Sequence, residues 1–213
     1  PVAPEGVVIW GYDGGPKALP GTYSLQLTVG DRQSNQPLEL ALDPRLQDVT
    51  SEQLARQLEL SIRNRDRMNE IYAAVGTVRS VREQVSAALE RAEIAGAREA
   101  VDATAAEVLA ELDLVERMLI TVDAEGVQDL FNYQPQLASN YAQVYQHVTG
   151  PDGYIAGGPD RQPTAGAYER LEDLESMWER ARAALDAVVN EEVPALNAAL
   201  AEAGVGAIVV DGR

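Results

Sequence analysis

The sequence predicts a mainly α protein: a long antiparallel bundle of three to four helices, preceded by a small and incomplete antiparallel β segment. Three observations predict it. From residue 51 to about 203, apolar side chains recur at three- and four-residue steps, the helical period. Residues 22–42 instead alternate apolar and polar, the period-2 signature of half-buried strands. Apolar residues make up 46% of the chain and aromatics only 5%, which favours a core built from aliphatic helix formers and argues against disorder.

The β segment comes first, over 1–46. Val7, Val8, Ile9 and Trp10 form a short apolar run read as a strand, followed by the glycine-rich turn from Gly11 to Pro16. Tyr23, Leu25, Leu27 and Val29 alternate with Ser24, Gln26 and Thr28, and Gly30-Asp31 fits a two-residue hairpin turn with glycine at positive φ. The return strand, 36–42, alternates Leu38, Leu40 and Leu42. Pro37 lacks an N–H, so this strand is expected at an edge, or to begin there. Three strands are too few for a sandwich of about seven.

The bundle occupies 47–213. Thr50 or Ser51 caps a first helix over 51–93, whose inner face reads Leu54, Leu58, Ile62, Met68, Tyr72, Val75, Val78, Val85 and Leu89. At 1.5 Å per residue it is about 64 Å long, so it needs partners along most of its length. Gly76 in its middle predicts a close helix crossing. The second helix, 97–122, has a seam of Val101, Ala105, Val108, Leu112, Val115, Leu119 and Val122. Pro135 opens a third helix lined by Leu137, Tyr141, Val144, Tyr145 and Val148. After a loop over 150–163, Thr164 caps a fourth, 164–203, with Trp178 as a core anchor and a kink from Pro194 near Asn190. The first and fourth helices are expected to form the spine of an antiparallel bundle, with the other two along them. Ile208-Val209-Val210 reads as a last strand or a frayed tail.

Composition excludes several functions. Net charge is −17, of which residues 1–50 contribute −3. That field repels nucleic acids and anionic membranes, so neither is an expected partner. The chain has no cysteine, which removes disulfides, thiolate catalysis and Cys-ligated zinc. No apolar run reaches the ~20 residues of a membrane span. The chain starts at Pro1 without Met, and its natural N-terminus is expected to lie upstream.

Several short motifs, taken in order, resemble a known arrangement. They are Pro20-Gly21-Thr22-Tyr23, Gln36-Pro37-Leu38, Leu42-Asp43-Pro44-Arg45, Asn132-Tyr133, Pro163-Thr164 and Val193-Pro194-Ala195-Leu196-Asn197. Together they resemble the C-terminal region of bacterial sortilin-type, BNR-repeat β-propeller proteins often labelled glycosyl-hydrolase-like. The resemblance implies that 1–46 ends an Ig-like sandwich, that a helical tail follows, and that the setting is periplasmic or secreted. It carries no catalytic residue onto this chain, since the propeller is absent.

No constellation in the chain itself points to catalysis, and no cofactor or metal is expected. His147 is the single histidine, so a di-iron Glu-x-x-His pair or a structural zinc site cannot be assembled. The carboxylate groups Asp123/Glu125, Glu172/Asp173/Glu175 and Glu191/Glu192 lie among other charges, as solvated faces do. Asp152 and Asp160 in the glycine-rich loop lack the alternating pattern of a calcium site. Arg63, Arg65 and Arg67 interleave with acids and read as a salt-bridged face. Tyr12, Tyr133, Tyr141, Tyr145 and Tyr154 gather around the third helix and its loops and, with His147, form the candidate interface, tyrosine being favoured where apolar area needs a polar tip; ordinary packing within the bundle is the other reading of the tyrosines. The expectation is a non-catalytic structural module that braces another domain or protein. The alternative is an accessory or ligand-binding domain of a secreted propeller enzyme, with its pocket between the third helix and the 150–163 loop.

Overall fold

The computed structural model of the chain describes residues 1–12, 14–149 and 159–210. Two strands, β1 (Gly21–Val29) and β2 (Arg32–Leu40), form one antiparallel hairpin. Five α-helices follow: α1 (Ser51–Ile94), α2 (Arg98–Leu119), α3 (Leu137–Thr149), α4 (Ala165–Ala187) and α5 (Val193–Glu202). A 3₁₀ turn, Val127–Phe131, lies before α3, and a π turn, Val188–Glu192, joins α4 to α5.

The caps follow from the local sequence. The Thr50 hydroxyl accepts from the Gln53 backbone N–H, while the Gln53 side chain accepts from the Thr50 backbone, a reciprocal capping box. Thr164 caps α4 by accepting from Ala167. The expected kink at Pro194 takes the form of the π turn. The proline has no N–H for the Asn190 carbonyl, and the Val193 N–H reaches back five residues to the Val188 carbonyl instead.

Helix directions are fixed by cross-helix partners. Gln57 meets Val148 and Asn64 meets Tyr141, so α3 runs antiparallel to the first half of α1. Arg79 and Arg82 meet Glu116, and Arg98 meets Leu89, so α2 runs antiparallel to the second half. Arg67 meets Glu175, and the groove beyond it joins Thr77 to Asp186, so α4 runs parallel to α1. The molecule is thus an up-down-up bundle: α1, then α2 and α3 in succession, then α4 and α5. The first and fourth helices thus run the same way, and the descending limb of α2 and α3 packs against both.

The core is one mainly aliphatic cluster that also takes in Tyr72, Tyr141, Tyr145 and Trp178. All but one of the predicted seam residues of α2 are buried, with Val122 packed at its margin. Trp178 is buried too, as its position between Leu171, Leu174 and Leu185 implied. Four expectations are overturned. Residues 7–10 form no strand; they are irregular chain, with Val7 and Ile9 packed on the core. Gly76 is exposed and a Cβ there would meet nothing, so it marks no close crossing. The tail does not fray up to Val210. Asn197 bonds both the N–H and the carbonyl of Ile208, and Gln84 does the same for Val209. Finally, the first half of α1 turns Gln57, Ser61 and Asn64 inward, leaving Leu58 and Ile62 half-buried. Gln57 donates to the carbonyls of Val148 (2.6 Å) and Pro159 (2.8 Å), and Asn64 donates to that of Tyr141 (3.1 Å). Val148 ends a helix, where carbonyls lack intrahelical donors, and an amide on α1 supplies one.

Candidate interaction surface

The hairpin is the part of the molecule that its own chain leaves unfinished. Val29 faces Arg32 across a two-residue loop, Gly30 has φ +57°, and Asp31 does not have positive φ, the pattern of a II′ turn. That turn fixes the register as Gly21↔Leu40 through Val29↔Arg32. Tyr23, Leu25, Leu27 and Val29 share one face with Leu38, as period 2 requires. Yet this apolar face is uncovered: Tyr23 is 39%, Leu25 54%, Leu27 65% and Val29 66% exposed. No third strand joins the sheet among the described residues, and no helix packs on either face. Two isolated strands are at best marginally stable in water.

The root of the hairpin is anchored. A cavity of about 310 Å³ lies between Leu19, Pro20, Leu40 and Leu42 on one side and Leu54, Gln57 and Leu58 of α1 on the other. Lys17 pairs with Asp160 at 2.8 Å and its backbone N–H donates to the Thr149 hydroxyl. Asp43 chelates Arg45, which hydrogen-bonds and holds the carboxyl down to about 2. Both acids of this cavity are therefore ion-paired, the opposite of a carboxyl poised for proton transfer.

The tyrosines divide in two. Tyr141 and Tyr145 are fully buried and offer nothing to a partner, which corrects their assignment to an interface. Burial, aided by the Glu175 charge, pushes the Tyr141 phenol far above its usual range, and its hydroxyl donates to Glu175 (3.3 Å). Burial likewise pushes Tyr145 up to about 12; its hydroxyl donates to the Gly14 carbonyl (2.9 Å). Tyr12 stacks on Tyr145 at 5.5 Å and is half-buried. Gly11 beside it must be glycine, because a Cβ would lie 2.4 Å from the Ala142 backbone on α3. These rings lock the N-terminal segment to α3 and have a packing role. Tyr133 is exposed, and Tyr154 lies outside the described residues. Trp10 meets Phe131 edge-on at 4.7 Å, with Phe131 largely exposed.

His147 is exposed, and its Nδ1 lies 2.7 Å from the Gln143 carbonyl of its own helix. It borders a cleft of about 330 Å³ between α3 and the start of α4, with Asn140, Gln143, Thr164 and Arg170. Among the described residues no carboxylate lines that cleft. The buried acids are elsewhere and neutralised. Glu116 sits between Arg79 (2.8 Å) and Arg82 (2.5 Å), and Glu175 is held by Arg67 (2.6 Å). The expected salt-bridged face is present, since Arg65 pairs with Asp66, and Arg67 with Glu70 and Glu175. One carboxylate departs from the rest. Glu192, in the π turn, is raised by desolvation and then by the charges of Glu111, Glu107 and Glu191, and its Oε2 finds no donor among the described residues. Among those residues no cluster of three metal-ligating side chains exists, and no helix is long and apolar enough to cross a membrane.

Comparison with protein-family models, curated proteins and solved structures found no match for this chain.

Proposed function

We propose that this chain is a non-catalytic structural module that binds protein through its hairpin. The observation that carries the reading is the apolar stripe Tyr23-Leu25-Leu27-Val29, left in water on a sheet of two strands with both edges unpaired among the described residues. Exposed strand edges recruit further strands, and an uncovered apolar face calls for a second layer. The bundle supplies the rigid arm: α1 alone runs 44 residues, about 66 Å at 1.5 Å per residue. The neutralised acids of its cavities support a binding role over acid/base chemistry. The motif resemblance adds a setting, an extracytoplasmic assembly in which the hairpin closes an Ig-like sandwich supplied by another domain or subunit.

Hydrogen exchange tests this. In a dilute monomer of this chain, amides of 22–29 should exchange far faster than those of α1 and α2. In the assembly purified intact from its natural source, they should become protected. Protection of 22–29 equal to the helix core in the dilute monomer, or none in the assembly, refutes the reading.

A further inference from the structure

The two edges of the hairpin are not equivalent, and their difference indicates what pairs with it. In a two-residue hairpin the residues flanking the turn form a hydrogen-bonded pair, and such pairs then alternate along the ladder. From Val29↔Arg32 the bonded pairs are therefore 27↔34, 25↔36, 23↔38 and 21↔40. The intervening residues point their N–H and C=O groups outward. On β2 these are Gln33, Asn35, Pro37 and Glu39, an edge with a missing donor at Pro37 and a charge at Glu39. On β1 they are Thr22, Ser24, Gln26 and Thr28, each with both groups available and none charged. The open edge is β1.

That edge is also complementary to itself. Read outward from Leu25, the strand has Ser24 and Gln26, then Tyr23 and Leu27, then Thr22 and Thr28, like facing like on both sides. We infer that β1 pairs antiparallel with β1 of a second copy, across a two-fold axis through Leu25. This inference rests on the binding role proposed above and names the partner of the same edge. In that register Thr22 faces Thr28 and Ser24 faces Gln26 as hydrogen-bonded pairs, so every outward N–H and C=O of both strands is used. Tyr23 of each copy faces Leu27 of the other, Leu25 faces Leu25, and the two apolar stripes join into one band. The interface is isologous, as closed two-fold pairing requires. The same operation on β2 would place Pro37 opposite Asn35 twice and lose a donor each time.

Nine residues of strand span only about 30 Å, too little to bury the ~1,200 Å² of a stable interface. The dimer is accordingly weak and concentration-dependent. Because each chain carries −17, added salt strengthens it by screening the repulsion between the two bodies.

The absence of native cysteine makes a direct test available. In the paired state the two residues 25 form a non-hydrogen-bonded pair with Cα atoms about 4.5 Å apart, within disulfide reach. Residues 27 of the two copies lie four positions apart along the strands, about 13 Å, and cannot bridge. Under equal mild oxidation, Leu25→Cys should therefore cross-link at least about tenfold faster than Leu27→Cys. Adding Gln26→Pro, which removes an outward donor while sparing the inner ladder, should abolish the cross-link. Asn35→Pro on the far edge should leave it intact, and helical circular dichroism checks the fold of each variant. Sedimentation should show the native chain shifting toward dimer as concentration and salt rise. Equal cross-linking of the two cysteines, or a monomer at high concentration and high salt, overturns the self-pairing. A monomer whose β1 is protected only in the native assembly overturns this inference and leaves the binding role standing. A β1 unprotected in both overturns the two together.

Discussion

Replacing Trp178 with Ala removes a side chain that only 3% of its surface exposes, at the junction of α1 and α4. Truncation of a buried Trp costs roughly 3–5 kcal/mol. Two features of the site set the position within that range. The Arg67 guanidinium lies 5.6 Å from the ring centroid, and its loss contributes about 0.5–1 kcal/mol. Against that, a groove of about 400 Å³ lined by Ala73, Ala74, Thr77 and Leu185 already opens beside the ring. Water can enter the truncated site, so the cavity contribution stays small. The expected cost is about 3 kcal/mol, near the low end. Trp178→Phe separates packing from polarity. The indole Nε1 finds no acceptor among the described residues, and a buried donor left unsatisfied costs ~1–3 kcal/mol. Phe removes that donor along with part of the ring, so the two changes oppose each other and the net cost should stay within about 1 kcal/mol. Urea unfolding followed by circular dichroism measures both, with an unchanged slope confirming that the denatured state is the same. A cost below about 1 kcal/mol for Trp178→Ala would place the ring in solvent. A Phe variant as destabilised as the Ala variant would refute the account of the N–H.

Two further substitutions probe the buried acids. Glu116→Ala strips the partner from Arg79 and Arg82, whose side chains are about a third exposed and regain some hydration. The cost should be about 2–3 kcal/mol, below the full 3–5 of a completely buried pair, and a thermal melt shifted by less than a degree or two contradicts it. Glu192→Gln should stabilise the protein near pH 7 and have no effect below pH about 4, where both forms are uncharged. The sign follows from the raised carboxyl. The unfolded state releases its proton at lower pH than the folded state, so stability is full below the ordinary Glu range and falls as pH rises through it. Melting temperatures measured across pH 3.5–7.5 check this, and equal gains at every pH would show that the charge of Glu192 is not the cause.

The elements were legible in the sequence because their signals are local. The α2 seam, the Thr50 and Thr164 caps, the break before Pro194 and the hairpin turn each depend on residues within a few positions of one another. The candidate surface was half legible. The alternation of Tyr23 to Val29 announced a strand with one apolar face, but nothing in the alternation said whether another layer covered it. Tyrosines 141 and 145 stayed open between core and interface for the complementary reason. Tyrosine suits an interface and a core equally, and only the stacking of Tyr12 and the carbonyl of Gly14 decide for the core. A signal for this was present in Gly11, whose glycine allows the N-terminal segment to lie directly on α3.

By itself, then, the sequence determined that a hairpin precedes a run of helices, where α1 and α4 begin, and which face of α2 turns inward. Short-range hydrogen bonds and periodicity suffice for that. Tertiary structure alone decided that α4 runs parallel to α1, and that Gln57, Ser61 and Asn64 face the core in place of Leu58 and Ile62. An inward polar residue is stable only when another element presents a group needing its hydrogen bond. The carbonyls of Val148, Pro159 and Tyr141, 77 to 102 residues away, are such groups.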